Sequence, residues 1–194
     1  MEIVNIMIGG VGGQGLVMTT DIISTAAYLD GHDVASSDVI GLAQRGGKIY
    51  GSVRYGPKVS TPNIPDRSVD VLVGLEELET LRYLDKVKPK GTVIMNRKKI
   101  MPNPVIMEKA SYPEDIEETI RRLGFHLIAL DTDGEAKNLG NKRVANTILL
   151  GVLSQVIPIS EASFKNAILQ KVPSQTAEAN LKAFDYGRTL GTTK

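Results

Sequence analysis

Short apolar runs alternate with amphipathic stretches through the first two thirds of this 194-residue chain. Apolar runs bounded by polar turns predict buried strands, here over Ile3–Ile8, Lys48–Tyr55, Val69–Val73, Thr92–Asn96 and His126–Leu130. Apolar positions at helical spacing predict helices over Leu16–Leu29 and Leu75–Leu84. A further helix is predicted to start at Ser111-Tyr112-Pro113 and to end before Gly124. Alternation of this kind predicts an α/β fold, a mostly parallel sheet flanked by helices, of Rossmann-like type.

The last third of the chain predicts a helical C-terminal region. A broad apolar face runs through Asn141–Ile157, and Pro158 ends it. A second helix is predicted over Glu161–Gln170, and a third opens at Ser174 or Gln175. These helices would pack on the sheet or on a partner. The length predicts one domain over residues 1–194.

Composition excludes several classes of function. The net charge of +1 gives no electrostatic case for binding nucleic acid or an anionic membrane. The absence of cysteine excludes disulfides, thiol catalysis and iron–sulfur clusters held by thiolates of this chain. Two histidines far apart in sequence predict no metal site. No apolar run reaches the roughly 20 residues that span a bilayer, and no signal peptide is evident. We therefore expect a cytoplasmic protein.

A glycine-rich turn follows the first predicted strand and precedes the first predicted helix. Its candidate binding residues are Gly10, Gly12, Gly13, Gln14 and Gly15. A turn in this context presents backbone N–H groups to a phosphate or similar anion, and the Gln14 amide could bond a ligand or partner. Two alternatives stay open: the glycines serve only close packing, or Gln14 is merely exposed in the first helical turn.

A nicotinamide dinucleotide site would need more than the glycine turn. It requires an acidic residue about 20 residues further on, at the end of a second strand. Asp33 and Asp38 lie in that region, but the segment around them is a weak, polar strand candidate. An independent nicotinamide-dependent enzyme is therefore a minor hypothesis.

A second glycine-rich segment supplies the other candidate binding residues: Gln44, Arg45, Gly46 and Gly47. The Arg45 guanidinium beside two glycines is suited to an anion, because the backbone can approach closely there. The alternative is a surface arginine in a turn. The basic run Arg97-Lys98-Lys99, at the end of a predicted strand, is interpreted as a solvated turn.

Together these segments suggest a family. Gly10-Val11-Gly12-Gly13-Gln14-Gly15 followed by Asp38-Val39-Ile40-Gly41-Leu42-Ala43-Gln44-Arg45-Gly46-Gly47 resembles the signature of the γ domain of pyruvate and other 2-oxoacid:ferredoxin oxidoreductases. Further segments are similar at Gly74–Glu79, Leu139–Asn146 and Ala179–Phe184. The likeness extends from about residue 3 to residue 187, and it is strongest to members that act on indolepyruvate.

The resemblance implies a subunit of a larger enzyme. Such complexes decarboxylate a 2-oxoacid on thiamine diphosphate, transfer the acyl group to coenzyme A and pass electrons through iron–sulfur clusters to ferredoxin. This chain would hold none of these cofactors alone. It would dock on a catalytic α subunit, with its glycine loop and Gln44–Gly47 near coenzyme A and Arg45 on a phosphate or carboxylate.

The substrate and assembly stay open at this stage. Aryl pyruvates are expected, and pyruvate, 2-oxoglutarate or ketoisovalerate are the alternatives. The catalytic residues are unknown. In isolation the chain would be inactive and could form a homodimer through surface meant for its partner. A purely structural subunit with an empty glycine loop is the remaining hypothesis.

Overall fold

A six-stranded sheet with helices on both faces organises the chain. The computed structural model describes residues 2–39 and 47–191, with only the backbone of Lys48. The strands are β1 (Val4–Val11), β2 (Asp33–Val39), β3 (Lys48–Gly56), β4 (Val69–Gly74), β5 (Val87–Asn96) and β6 (His126–Leu130). The helices are α1 (Leu16–Leu29), α2 (Glu77–Arg82), α3 (Asn103–Ile106), α4 (Ile116–Arg122), α5 (Thr132–Asn138), α6 (Ala145–Leu153), α7 (Glu161–Lys171) and α8 (Ala177–Gly191). Short 3₁₀ turns occupy Leu84–Lys86, Lys142–Val144 and Ser174–Thr176.

The predicted mostly parallel sheet is confirmed, with one strand reversed. Its order is β2-β3-β1-β4-β5-β6, and β1, β4, β5 and β6 pair in parallel. Strand β3 is antiparallel to both of its neighbours, β1 and β2. Because the parallel strands end at the same edge, the loops after β1, β4, β5 and β6 gather there.

Alternation along the strands divides the core between the two faces of the sheet. In β1, Ile6 and Ile8 join a cluster with α1, α6, α7 and α8, and Met7 joins a second cluster on the other face. That second cluster contains Ile116 and Ile120 of α4. This is the period of two expected for a strand buried on both sides.

The structure changes the predicted bounds of several elements. Strand β1 continues to Val11, so the first glycines of the motif belong to the strand. The weak polar segment is the edge strand β2, and α4 begins at Ile116. Within Asn141–Ile157 the α-helix covers only Ala145–Leu153, preceded by a 3₁₀ turn. In the described part of the chain, no helix is long and apolar enough to cross a membrane.

The C-terminal helices pack on the sheet of their own chain. Leu149 of α6 and Phe184 of α8 lie in the main core, and both are fully buried. Helices α6 and α8 approach each other closely at two glycines. A Cβ at Gly187 would lie 2.1 Å from the carbonyl oxygen of Ile148, and one at Gly151 would lie 2.2 Å from that of Phe184. Backbone surrounds both positions, so a methyl group has no room.

We expect Gly187→Ala to lower the free energy of unfolding by about 1–3 kcal/mol, the usual cost of overpacking a core. Urea unfolding followed by circular dichroism measures the change. Gly191→Ala in the same helix is the control. Its Cβ would meet mainly the Gln155 side chain at 3.1 Å, and alanine favours the helix by up to about 1 kcal/mol. Equal stability of the two variants would contradict the packing argument.

Candidate functional site at the glycine loop

The glycine loop turns the chain from β1 into α1 through left-handed backbone. Gly13 has φ +97° and Gly15, the N-cap of α1, has φ +79°. Other residues rarely adopt these angles, so glycine is required for the path. A Cβ at Gly13 would meet nothing within 4 Å. The backbone of Gly13 therefore faces open space rather than a packed neighbour.

The Gln14 side chain holds the loop against the sheet. Its Oε1 accepts from the backbone N–H of Val11 at 2.7 Å, and its Nε2 donates to the carbonyl of Leu75 at 2.8 Å. Both ends of the side-chain amide are thus hydrogen-bonded within the chain, whereas the sequence analysis predicts a contact to a ligand or partner, or an exposed position. Gln14 joins the ends of β1 and β4, and it shapes the site rather than offering a free amide.

Asn146 at the start of α6 supports the same loop from the other side. Its Nδ2 lies 2.7 Å from the carbonyl oxygen of Gln14 and 3.2 Å from Oγ1 of Thr19. The Thr19 hydroxyl in turn donates to the carbonyl of Gly15. Although Asn146 lies in a segment that carries the family resemblance, only the fold reveals this bridge across 132 residues.

The second candidate segment meets the loop at its last residue. The backbone N–H of Gly12 donates to the carbonyl of Gly47 at 2.9 Å. Gln44, Arg45 and Gly46 lie outside the described residues. Of the second segment, Gly47 is therefore the residue that the structure places beside the glycine loop.

A cavity of about 660 Å³ opens in front of the loop. Its lining includes Gly12, Gly13, Gln14, Gly15, Met18, Asn96, Lys98, Ile100, Asp133, Lys142, Arg143, Asn146 and Asn180. These residues come from the glycine loop and α1, from the end of β5 and the chain after it, from α5, from the 3₁₀ turn before α6, and from α6 and α8. The sequence analysis did not single out Lys98, Lys142 or Arg143 as site residues; each is a cation that folding brings to the glycine turn.

Positive charge predominates in the cavity. Asp133 Oδ1 lies 2.6 Å from the Nζ of Lys98, and the Nδ2 of Asn96 donates to Asp133 Oδ2 at 2.7 Å. Burial alone would raise the pKa of Asp133, but the hydrogen bonds from Lys98 and Asn96 outweigh it and lower that pKa. Within residues 2–39 and 47–191, Lys142 and Arg143 form no ion pair. Among the lining residues that the structure describes, three cations therefore face one carboxylate.

The start of α1 adds backbone donors to this charge. The first amides of an α-helix have no intrahelical acceptor, and no side chain caps them here. The first turn of α1 also contains no acidic residue. Uncapped amides and the positive end of the helix dipole favour an anion. The arrangement is suited chemically to binding phosphate groups.

The strand order does not provide a ribose carboxylate for a dinucleotide. In nicotinamide-binding folds the acidic residue ends a strand next to β1, but here β3 lies between β1 and β2. Asp33 is at the opposite end of β2, where its carboxylate accepts from the N–H of Val59. Asp38 is partly buried next to Thr20, and burial raises its pKa. Neither residue lines the cavity.

Comparison with known proteins identifies the family. Residues 5–190 match the family described as pyruvate ferredoxin/flavodoxin oxidoreductase. The chain belongs to this family. It is 34% identical over 192 residues to indolepyruvate oxidoreductase subunit IorB of Thermococcus kodakarensis, covering 96% of this chain and 95% of the relative. It is also 29% identical to 2-oxoglutarate synthase subunit KorC of Methanothermobacter marburgensis, covering 95% of each.

Solved structures confirm the fold. The γ subunit of keto/oxoacid ferredoxin oxidoreductase from Geobacter sulfurreducens has a TM-score of 0.73 at 24% identity, covering 97% of this chain and 98% of that one. A 2-oxoglutarate:ferredoxin oxidoreductase chain from Magnetococcus marinus, solved with 2-oxoglutarate, coenzyme A and succinyl-CoA, has a TM-score of 0.76 at 22% identity. There the match covers 98% of this chain but 31% of the other. The family predicted from sequence is confirmed, and the chain is a γ-type subunit of a 2-oxoacid:ferredoxin oxidoreductase.

We expect Gln14→Ala to destabilise the protein, because it leaves the Val11 N–H and the Leu75 carbonyl without their partner. The loss should be about 1–3 kcal/mol, the cost of leaving partly buried polar groups unpaired. Chemical unfolding measures it. Gln170→Ala, at an exposed position of α7, should stay within about 0.5 kcal/mol of wild type. A Gln14 variant as stable as that control would show that the amide does not hold the loop.

Proposed function

We propose that this chain is the accessory subunit of a ferredoxin oxidoreductase for aryl pyruvates such as indolepyruvate, and that its cavity binds coenzyme A. The observation that carries the proposal is the meeting of an uncapped helix start with Lys98, Lys142 and Arg143 around one cavity. Coenzyme A carries a diphosphate and a 3′-phosphate, so it needs such a surplus of donors and positive charge. The cavity lies within the range of about 300–1,000 Å³ that ligand sites occupy.

Different parts of the cavity would perform different tasks. Gly13 and the first amides of α1 would donate to one phosphate group. Lys142 and Arg143, which have no competing ion pair among the described residues, would bind another. Lys98 would be a weaker contact, because Asp133 already neutralises it. Binding of this kind would fix coenzyme A relative to the partner's active centre. This chain would then contribute to catalysis by orienting the cofactor and not by reacting with it.

The redox chemistry would belong to a catalytic partner subunit. With no cysteine, this chain has no thiolate for an iron–sulfur cluster. The partner would hold thiamine diphosphate and the clusters, and electrons would pass through it to ferredoxin. Thiamine diphosphate would supply the carbanion chemistry of decarboxylation. The γ-type subunit would then be inactive alone.

The site would extend into the second glycine-rich segment. Gly47, which directly follows the other residues of this segment in the sequence, accepts from the N–H of Gly12. We include Gln44, Arg45 and Gly46 in the proposed site on this ground and on the family resemblance. Arg45 would add a bidentate contact to a phosphate or carboxylate.

The substrate assignment follows the relatives. The IorB relatives are named as indolepyruvate oxidoreductase subunits and are 30–34% identical to this chain, whereas the 2-oxoglutarate synthase subunits KorC are 29–31% identical. An enzyme for 2-oxoglutarate is therefore the second candidate.

The complex reconstituted with its catalytic partner should discriminate these substrates. We expect ferredoxin or viologen reduction with indolepyruvate and phenylpyruvate to exceed that with pyruvate or 2-oxoglutarate by at least about tenfold in kcat/KM, equivalent to 1.4 kcal/mol of differential transition-state binding. Anaerobic initial rates measure it, and each subunit alone serves as the control. Preference for 2-oxoglutarate would select the second candidate.

Removal of one cation should weaken coenzyme A. We expect Arg143→Ala to raise the KM for coenzyme A about tenfold with kcat within about twofold, because uniform binding is lost. Arg45→Ala should act in the same direction. Arg122→Ala, which removes an exposed arginine of α4 outside the cavity, is the matched control. Unchanged coenzyme A kinetics in both test variants would leave the purely structural subunit as the better account.

A further inference from the structure

Residues 101–111, between β5 and α4, form a segment that places little of its side-chain surface in the core. No residue of this segment is buried. Ile106 is 66% exposed, Met107 60% and Met101 45%. Isolated exposed apolar residues are ordinary, but this segment exposes three within seven positions, and a concentration of exposed apolar side chains is a feature of interaction sites.

The segment is nevertheless ordered by its own backbone. The carbonyl of Pro102 accepts from the N–H groups of Val105 and Ile106, and the carbonyl of Pro104 accepts from the N–H of Lys109. Proline fixes φ at positions 102 and 104. The apolar side chains are thus presented on a preformed backbone, which lowers the conformational entropy lost on binding.

A buried carboxylate anchors both ends of the segment. Glu76, 1% exposed, accepts from the Ile100 N–H at 3.1 Å and from the Tyr112 hydroxyl at 2.6 Å. Its other oxygen accepts from the N–H of Glu79 at 2.8 Å, which caps α2. Burial and the bond to Glu76 raise the pKa of Tyr112, so its hydroxyl stays a donor. One side chain therefore ties residues 100 and 112 to the end of β4.

The same anchor links the segment to the cavity. Lys98 and Ile100, which precede the segment, line the cavity, and the Lys98 carbonyl accepts from the N–H of Glu77. A protein that covers residues 101–111 would therefore stand at the rim of the proposed coenzyme A site. Under the proposed function, the iron–sulfur clusters that this cysteine-free chain cannot ligate through thiolates would belong to another subunit, which would approach that rim.

We infer that residues 101–111 are a docking element for the catalytic subunit, with Ile106 and Met107 entering an apolar recess of that partner. The inference rests on the proposed function, because that function requires a partner to complete the site at this rim. Methionine suits such a contact because its side chain adapts to the shape of the partner. The Glu76 anchor would hold the docked element in register with the cavity wall.

The test measures binding of the full chain to the purified catalytic subunit. The double variant Ile106→Asp/Met107→Asp should raise the dissociation constant at least tenfold, because docking would bury two carboxylates. Its melting temperature should equal that of wild type, since both side chains are exposed. The matched control is Leu169→Asp on α7, which is 48% exposed and lies on a helix that packs on the face of the sheet opposite to α4. The control should bind like wild type.

The outcomes separate this inference from the proposed function. Failure of the wild-type chain to bind the catalytic subunit would overturn both. Wild-type binding with full affinity in the double variant, or an equal loss in Leu169→Asp, would overturn the docking element alone. Loss of self-association in the double variant, with catalytic-subunit binding unchanged, would overturn it in favour of a second copy.

Hydrogen exchange gives an independent readout. Binding of the catalytic subunit should slow exchange of the amides in residues 101–111 at least tenfold. In the free chain, Tyr112→Phe removes one of the bonds to Glu76 and should speed exchange there more than in the rest of the protein. Unaltered exchange in the segment in both experiments would overturn the anchoring and the docking together.

Discussion

The site depends on the two hydrogen bonds of the Gln14 side chain. This side chain bonds the Val11 N–H and the Leu75 carbonyl, so it joins the ends of two adjacent parallel strands. A loop with two left-handed glycines has many accessible conformations in the unfolded chain, and selecting one of them costs entropy. The amide offsets that cost with two hydrogen bonds, and Asn146 adds a third contact from α6. The open backbone of Gly13 is a consequence of this fixed turn.

Glu76 performs a related task one strand further along the sheet. Where Gln14 fixes the loop after β1, Glu76 fixes the chain on both sides of residues 101–111. Both anchors act at the carboxyl edge of the parallel strands, next to Leu75. Short-range hydrogen bonds at this edge therefore set the distance between the glycine loop, the cavity wall and the exposed apolar segment.

Charge in the cavity comes from parts of the chain that are far apart in sequence. Lys98 follows β5, and Lys142 and Arg143 precede α6. Among the described residues, Asp133 pairs with Lys98, whereas Lys142 and Arg143 form no ion pair and stay available to a ligand. This distribution is suited to an anionic group that bridges the glycine loop and the start of α6, and it accords with an accessory role in which the chain binds and orients while a partner reacts.

The local sequence pattern was sufficient to predict most of the strands, the fold class and the glycine turn. Apolar runs and helical spacing predicted five of the strands and the α/β class, because a strand that is buried on both faces needs a continuous run of apolar residues. The glycine motif predicted the turn, since left-handed backbone requires that residue type. Strand ends and helix starts were less well predicted, as at β1 and α4. The end of β1 depends on its pairing with β3, which the sequence of β1 does not contain.

Tertiary structure decided the order of the strands and the composition of the site. The sequence contains no signal for the insertion of β3 between β1 and β2, which removes Asp38 from the glycine loop. Nor could it assign the Gln14 amide to Leu75, or gather Lys98, Lys142 and Arg143 around one cavity. These contacts join residues that are tens of positions apart in the sequence. Hydrogen bonds and charge interactions depend on the distance between atoms in space, which only the folded structure sets. Sequence alone determined which elements form and where glycine is needed, whereas their packing decided which side chains meet.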